Sequence, residues 1–97
     1  MQITRGDSFL LGLVVKVDGA RQDLTHWQIR SSIGKGSFLR ELSVNFTDRS
    51  AGEFTLSAAT SGWPLGTLAL DVKYTTDVDQ IITTNAVQIL VVKGVTP

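Results

Sequence analysis

The chain has 97 residues, 42% of them apolar, with nine basic and nine acidic side chains, two tryptophans, one histidine and no cysteine. That length gives one domain over residues 1–97, and the apolar share is that of a folded protein rather than a disordered one. Charge that is balanced and scattered along the chain excludes the basic stripe on which nucleic-acid binding depends.

The elements follow from a two-residue alternation of apolar and polar side chains. Ile3 opens a short strand ahead of a Gly6-Asp7 turn. Residues 9–17 form the next, with Phe9, Leu11, Leu13, Val15 and Val17 on one face. Leu10 and Val14 on the other face predict a strand partly covered on both sides. Asp18-Gly19 is the strongest hairpin signal in the chain, because Gly accepts the positive φ that tight hairpin turns require. Residues 26–33 follow, entered through Asp23-Leu24-Thr25. A Gly34-Lys35-Gly36 turn then leads into a strand over 37–46.

The cluster at 48–52 turns into a strand over 53–58. Residues 59–64 break the alternation and predict one loose helical turn ended by Trp63, since the residue before a proline is pushed out of the α region. Gly66 opens a strand over 67–74. A turn at 75–79 leads into residues 80–84, and Asn85 precedes the last strand, 86–93. Many short strands at this spacing point to an all-β sandwich or barrel. The small sandwich is the expected form, with Trp27, Phe46, Phe54, Leu70 and Ile89 in its core.

Little in this pattern supports chemistry. General base work usually falls to histidine, and His26 stands alone, with no serine in a G-x-S-x-G elbow to serve. With one His and no Cys, zinc has no ligand set. Asp77-Val78-Asp79 lacks the third oxygen donor and the glycine of a calcium loop. The Gly34-Lys35-Gly36-Ser37 string lacks the upstream glycine of a phosphate cradle, and a strand follows it rather than a helix. Arg5-Gly6-Asp7 spells a tripeptide that integrins bind, but it stands where the chain turns into its first long strand. The expectation is a protein that is not an enzyme, holds no cofactor or metal, and works by binding.

Three residues are candidate partner contacts. Trp63, in Trp63-Pro64-Leu65-Gly66, has two readings: a plug capping one end of the fold, or a surface aromatic of the kind enriched in interface hot spots. Ile81 and Ile82 would stand on a strand edge, whose unpaired backbone groups are open to a neighbouring chain. No basic n-region with an apolar stretch precedes the first strand, and the run 9–17 falls far short of the roughly 20 residues of a membrane helix. A soluble chain made in the cytosol, bound to neither membrane nor nucleic acid, is the expectation.

Taken in order, Ile3-Thr4-Arg5-Gly6-Asp7, Asp23-Leu24-Thr25, Trp27-Gln28-Ile29-Arg30-Ser31, the segment from Gly52-Glu53-Phe54-Thr55-Leu56 through Thr60, Trp63-Pro64-Leu65-Gly66 and Leu70-Asp71-Val72-Lys73-Tyr74 resemble a family from tailed bacteriophages. The chain is similar to small immunoglobulin-like virion proteins and to the N-terminal domain of the baseplate upper proteins that anchor receptor-binding proteins. Members often carry Gly where His26 stands, and baseplate upper proteins continue into further domains. The resemblance covers nearly the whole chain. It implies an immunoglobulin-like β-sandwich of seven to eight antiparallel strands with no catalytic residues. The function it implies is that of a non-enzymatic virion structural protein, a baseplate, tail or neck component. Such a protein is made in the host cytoplasm and binds other phage structural proteins, or further copies of itself, during particle assembly. A capsid decoration protein and a host-surface carbohydrate-binding module are the alternatives.

Overall fold

The computed structural model describes residues 1–84 and 86–94, and its regular structure is all β apart from one 3₁₀ turn, Arg49–Ala51. Ten strands are present among the described residues. They are β1 (Gln2–Thr4), β2 (Ser8–Val14), β3 (Lys16–Val17), β4 (Ala20–Arg21), β5 (Gln28–Lys35), β6 (Phe38–Asp48), β7 (Glu53–Ala59), β8 (Gly66–Thr75), β9 (Ile81–Thr83) and β10 (Val87–Val92). The Asp18-Gly19 hairpin is there between β3 and β4, with positive φ at both residues (52° and 81°). Asn85, expected just before the last strand, lies outside the described residues, as does the segment 95–97.

Eight strands share one hydrogen-bonded sheet, in the order β1-β10-β8-β5-β6-β7-β2 with β9 also beside β8. A sandwich of two separate layers was the expectation; the sheet is instead nearly closed and barrel-like. The long strand β6 is the reason. Its residues 38–42 pair with β5, and from Ser43 onward it pairs with β7, so one strand carries the sheet round a corner. The pairing is antiparallel except at one place: β1 runs parallel to β10, with Gln2 opposite Leu90 and Thr4 opposite Val92.

Three boundaries also differ from the sequence pattern. The run 9–17 stops being one strand at Val15, whose N–H turns aside to bond the Gly52 carbonyl at 2.9 Å. His26 stays in a turn closed by the Trp27 N–H on the Leu24 carbonyl, and β5 begins two residues later than expected. Residues 60–63 form a single reverse turn, Trp63 N–H to Thr60 carbonyl at 3.0 Å, in place of a helical turn. Leu10, expected to be partly covered, is 65% exposed.

The antiparallel register of β5 and β8 sets Gln28 opposite Thr75 at one end and Gly34 opposite Ala69 towards the other. The second end, the base, gathers the loops at 5–7, 36–37 and 60–65. The first end, the rim, gathers 15–27, 49–52 and 76–80. Ile33, Leu56, Leu68, Leu70 and Ile89 fill the middle, all essentially without solvent contact, and each such side chain stabilises the fold by roughly 1.5–3 kcal/mol. Of the expected core residues, Trp27, Phe54, Leu70 and Ile89 are buried, while Phe46 is half-buried and packs against them.

Candidate functional site

At the rim, the barrel opens into an apolar trough. Two adjoining cavities of about 320 and 310 Å³ share Val17, Trp27 and Ile82. Val14, Val15 and Tyr74 line one of them, and Val78 with Thr76 the other. Exposed apolar side chains stand around the trough, among them Val78 at 75%, Ile81 at 60% and Ile82 at 41%. Monomeric proteins rarely leave contiguous apolar surface of this kind without a use for it.

Each wall is built locally. Trp27 is held edge-on to Tyr74, ring centroids 6.1 Å apart, and Tyr74 in turn is edge-on to Phe54 at 6.2 Å. These are edge-to-face geometries of the kind aromatic pairs prefer. The loop behind Trp27 is fixed by Arg49. Its guanidinium donates to the carbonyls of Leu24 and Trp27, each at 3.0 Å, and lies 3.8 Å over the Phe46 ring. Sequence reasoning missed this residue, because an arginine in a turn reads as solvated. Gly52 has a φ of 76°, and a Cβ there would come within 2.7 Å of the Gln22 carbonyl and 2.8 Å of the Val15 carbonyl. Only glycine lets the 3₁₀ turn approach the kink that frees residues 15–17 to line the trough.

On the far side, the loop at 76–80 is closed by Thr76. Its carbonyl accepts from the Asp79 N–H at 3.1 Å, its hydroxyl accepts from the Gln80 N–H at 3.2 Å, and its N–H donates to the Gln80 carbonyl at 2.9 Å. Asp79 takes a φ of 61°, a left-handed conformation that aspartate tolerates better than most residues. Ile81 and Ile82, two of the expected contact residues, follow directly on β9. Trp63, the third, is elsewhere and inside: it is 3% exposed, with its ring 5.6 Å from Phe9 at the base. The surface reading of Trp63 is therefore corrected to the plug. Burying the ring against Phe9 closes the base, and Pro64 fixes the chain just beyond it.

Beside the trough is a polar hollow of about 250 Å³, lined by Gln22, Asp23, Thr25, His26, Trp27 and Asp77. The Thr25 hydroxyl and N–H both donate to the Asp23 carboxylate. Those bonds, the hydroxyl first, hold the Asp23 pKa below the ordinary carboxylate value, so the group is ionised at neutral pH. This hydroxyl is engaged by a carboxylate rather than by the imidazole of His26. Among the described residues, no three His, Cys, Asp or Glu side chains are grouped as a metal site.

The Gly34-Lys35-Gly36 segment is a hairpin turn at the base, where Lys35 donates to the Leu65 carbonyl at 2.9 Å. Arg5-Gly6-Asp7 is likewise a turn, with its Gly6 N–H bonded to the Thr60 hydroxyl at 2.8 Å. Comparison of the chain with protein-family models and with curated proteins gives no match.

Proposed function

We propose that this chain is a non-enzymatic structural subunit of a bacteriophage virion, a baseplate, tail or neck component that binds other phage proteins as the particle assembles. The observation that carries the binding part of this reading is the apolar trough at the rim, with Ile81 and Ile82 beside it. Burial of that surface, with no turnover, is the mechanism: each Å² of apolar area removed from water stabilises a contact by roughly 25 cal/mol before the costs of association. The phage part rests on the resemblance described above.

The finer fold assignment belongs to the same proposal. An immunoglobulin-like ancestry is supported by the strand order, in which β1-β10-β8-β5 would form one layer and β7-β2 the other, with β6 crossing between them. The carbohydrate-binding alternative has less support, since sugars stack on exposed aromatic faces. Here Trp63 and Trp27 are buried and Tyr74 is half-buried. The test is composition of the particle. Virions purified from cells producing the phage that encodes this chain are expected to contain it at a fixed copy number. Its absence from washed, intact particles overturns the reading. Light scattering on the isolated protein across a concentration series then separates a self-assembling subunit from one that needs a different protein.

A further inference from the structure

The trough is also a gap in the sheet. β1 and β2 are the two edges of the nearly closed barrel. Beside residues 90–92 the seam is occupied, because β1 pairs there with β10. Beside Ile81–Thr83 it is not: among the described residues β9 pairs with β8 alone. The alternation of the ladder says which groups are left over. The Thr84 N–H bonds the Val72 carbonyl and the Gln80 carbonyl accepts from Thr76, so residues 80, 82 and 84 turn their backbone toward β8. Ile81 and Thr83 then turn their N–H and C=O groups out into the seam. On the opposite side, Val14 and Val17 bound the same space, with Trp27 and Tyr74 at its floor. A strand set here would find backbone partners on β9 and an apolar pocket for its alternate side chains.

We propose that this open part of the seam takes one extended strand from a partner polypeptide, in line with β1, whose alternate residues are apolar and whose rim end carries a lysine or arginine. The proposal rests on the subunit reading above and specifies how that subunit engages its partner. β1 is the precedent within the molecule: it shows that this seam accepts a strand running parallel to β10. The charge follows from the rim, where Asp77 lines both the trough and the polar hollow, and Asp23 stands beside it. Lys16 is the cation lining the trough on the other wall. Backbone bonds of this kind supply affinity, and the pockets for alternate side chains supply selection.

The probe is a synthetic peptide of alternating valine and threonine with one terminal lysine, titrated into the intact chain. Amide exchange at Ile81 and Thr83 and the fluorescence of Trp27 are the readouts, the latter in a Trp63→Phe background. Binding is expected to slow exchange at those two amides. Thr83→Pro removes an outward N–H from an edge strand, where proline is tolerated. It is expected to weaken the peptide by about tenfold, as is replacing the peptide's lysine by glutamate. Ile82→Lys, which puts a cation into the trough, is the second variant and is expected to abolish binding. Equal binding by the parent chain and these variants, or no protection on β9, overturns the proposal. A dimer abolished by Thr83→Pro overturns it too, by making a second copy the occupant. A Thr83→Pro chain that loses the peptide but still enters virions would leave the subunit reading intact and detach the seam from assembly. Absence from virions with peptide binding retained would do the reverse.

Discussion

At the base of the barrel Trp63 is sealed against Phe9, and Thr60 ties the loop to the turn ahead of β2 by accepting from Gly6 and donating to Asp7. At the rim Trp27 is held as firmly from behind, by Arg49 and Tyr74, yet its front forms the floor of an open trough. Both ends use a tryptophan and a pinned loop. What differs is whether a strand covers the seam, since β1 occupies the part beside residues 90–92 and, among the described residues, none pairs with the outer side of β9. The contrast separates two uses of apolar surface in a small domain. The base buries its apolar surface for stability, while the rim leaves apolar surface in contact with water.

The largest expected effect breaks the base. Trp63→Ala removes a side chain that is 3% exposed and should destabilise the fold by about 3–5 kcal/mol in chemical denaturation. The matching change at the rim, Ile82→Ala, should stay within about 1 kcal/mol, because that side chain is already partly in water. Equal costs at the two positions would remove the distinction between a sealed end and an open one.

Next comes Gly52→Ala, which attacks the frame of the rim. A methyl group at a φ of 76°, driven against two carbonyl oxygens, should cost about 3 kcal/mol. It should also disturb Val15 and Gln22, whose backbones it would strike, and so lower peptide affinity at the trough. A variant as stable as the parent in thermal unfolding would show that the 3₁₀ turn can move away. Thr60→Val is smaller. It keeps the shape but leaves the Gly6 N–H and the Asp7 carbonyl without their partner, at a cost of about 2 kcal/mol. Its peptide binding should match the parent's, since the change lies at the far end.

Where the strands run was legible in the sequence at both ends of the barrel, and how they pair was not. Alternation found nearly every strand, because a period of two is imposed by the pleat itself whatever a strand's neighbours are. For the same reason it could not give the corner in β6: residues 38–48 alternate identically whether they serve one partner or two. Nor could it give the parallel pairing of β1, which depends on residues some 88 positions away in the chain. Ile81 and Ile82 were visible as apolar residues on a short edge. The kink at Val15, which turns residues 15–17 into the other wall of the trough, left no mark in the alternation of the run 9–17, and Leu10 on the second face of that run stands exposed. The direction of Trp63 was open, since a loop has no periodicity from which to read a facing. Arg49 left no signal, because its bonds go to backbone carbonyls 22 and 25 residues away.

The finest measurement of the comparison is the titration of Tyr74, the chain's one tyrosine, by its phenolate absorbance. Burial pushes its phenol above the ordinary value of 10.0. The neutral phenol is the form the fold favours, and the unfolded chain ionises first. The stabilisation from Tyr74 is therefore complete below the ordinary value and is lost as pH rises through the higher folded one. Tyr74 is only partly buried, so the effect on stability is small, but its midpoint is a direct gauge of cover over the trough. A strand lying in the seam would remove more water from the ring and move the midpoint further up. Peptide that binds and leaves the midpoint unchanged must sit elsewhere on the molecule, and the rim would then be open for a reason other than strand addition.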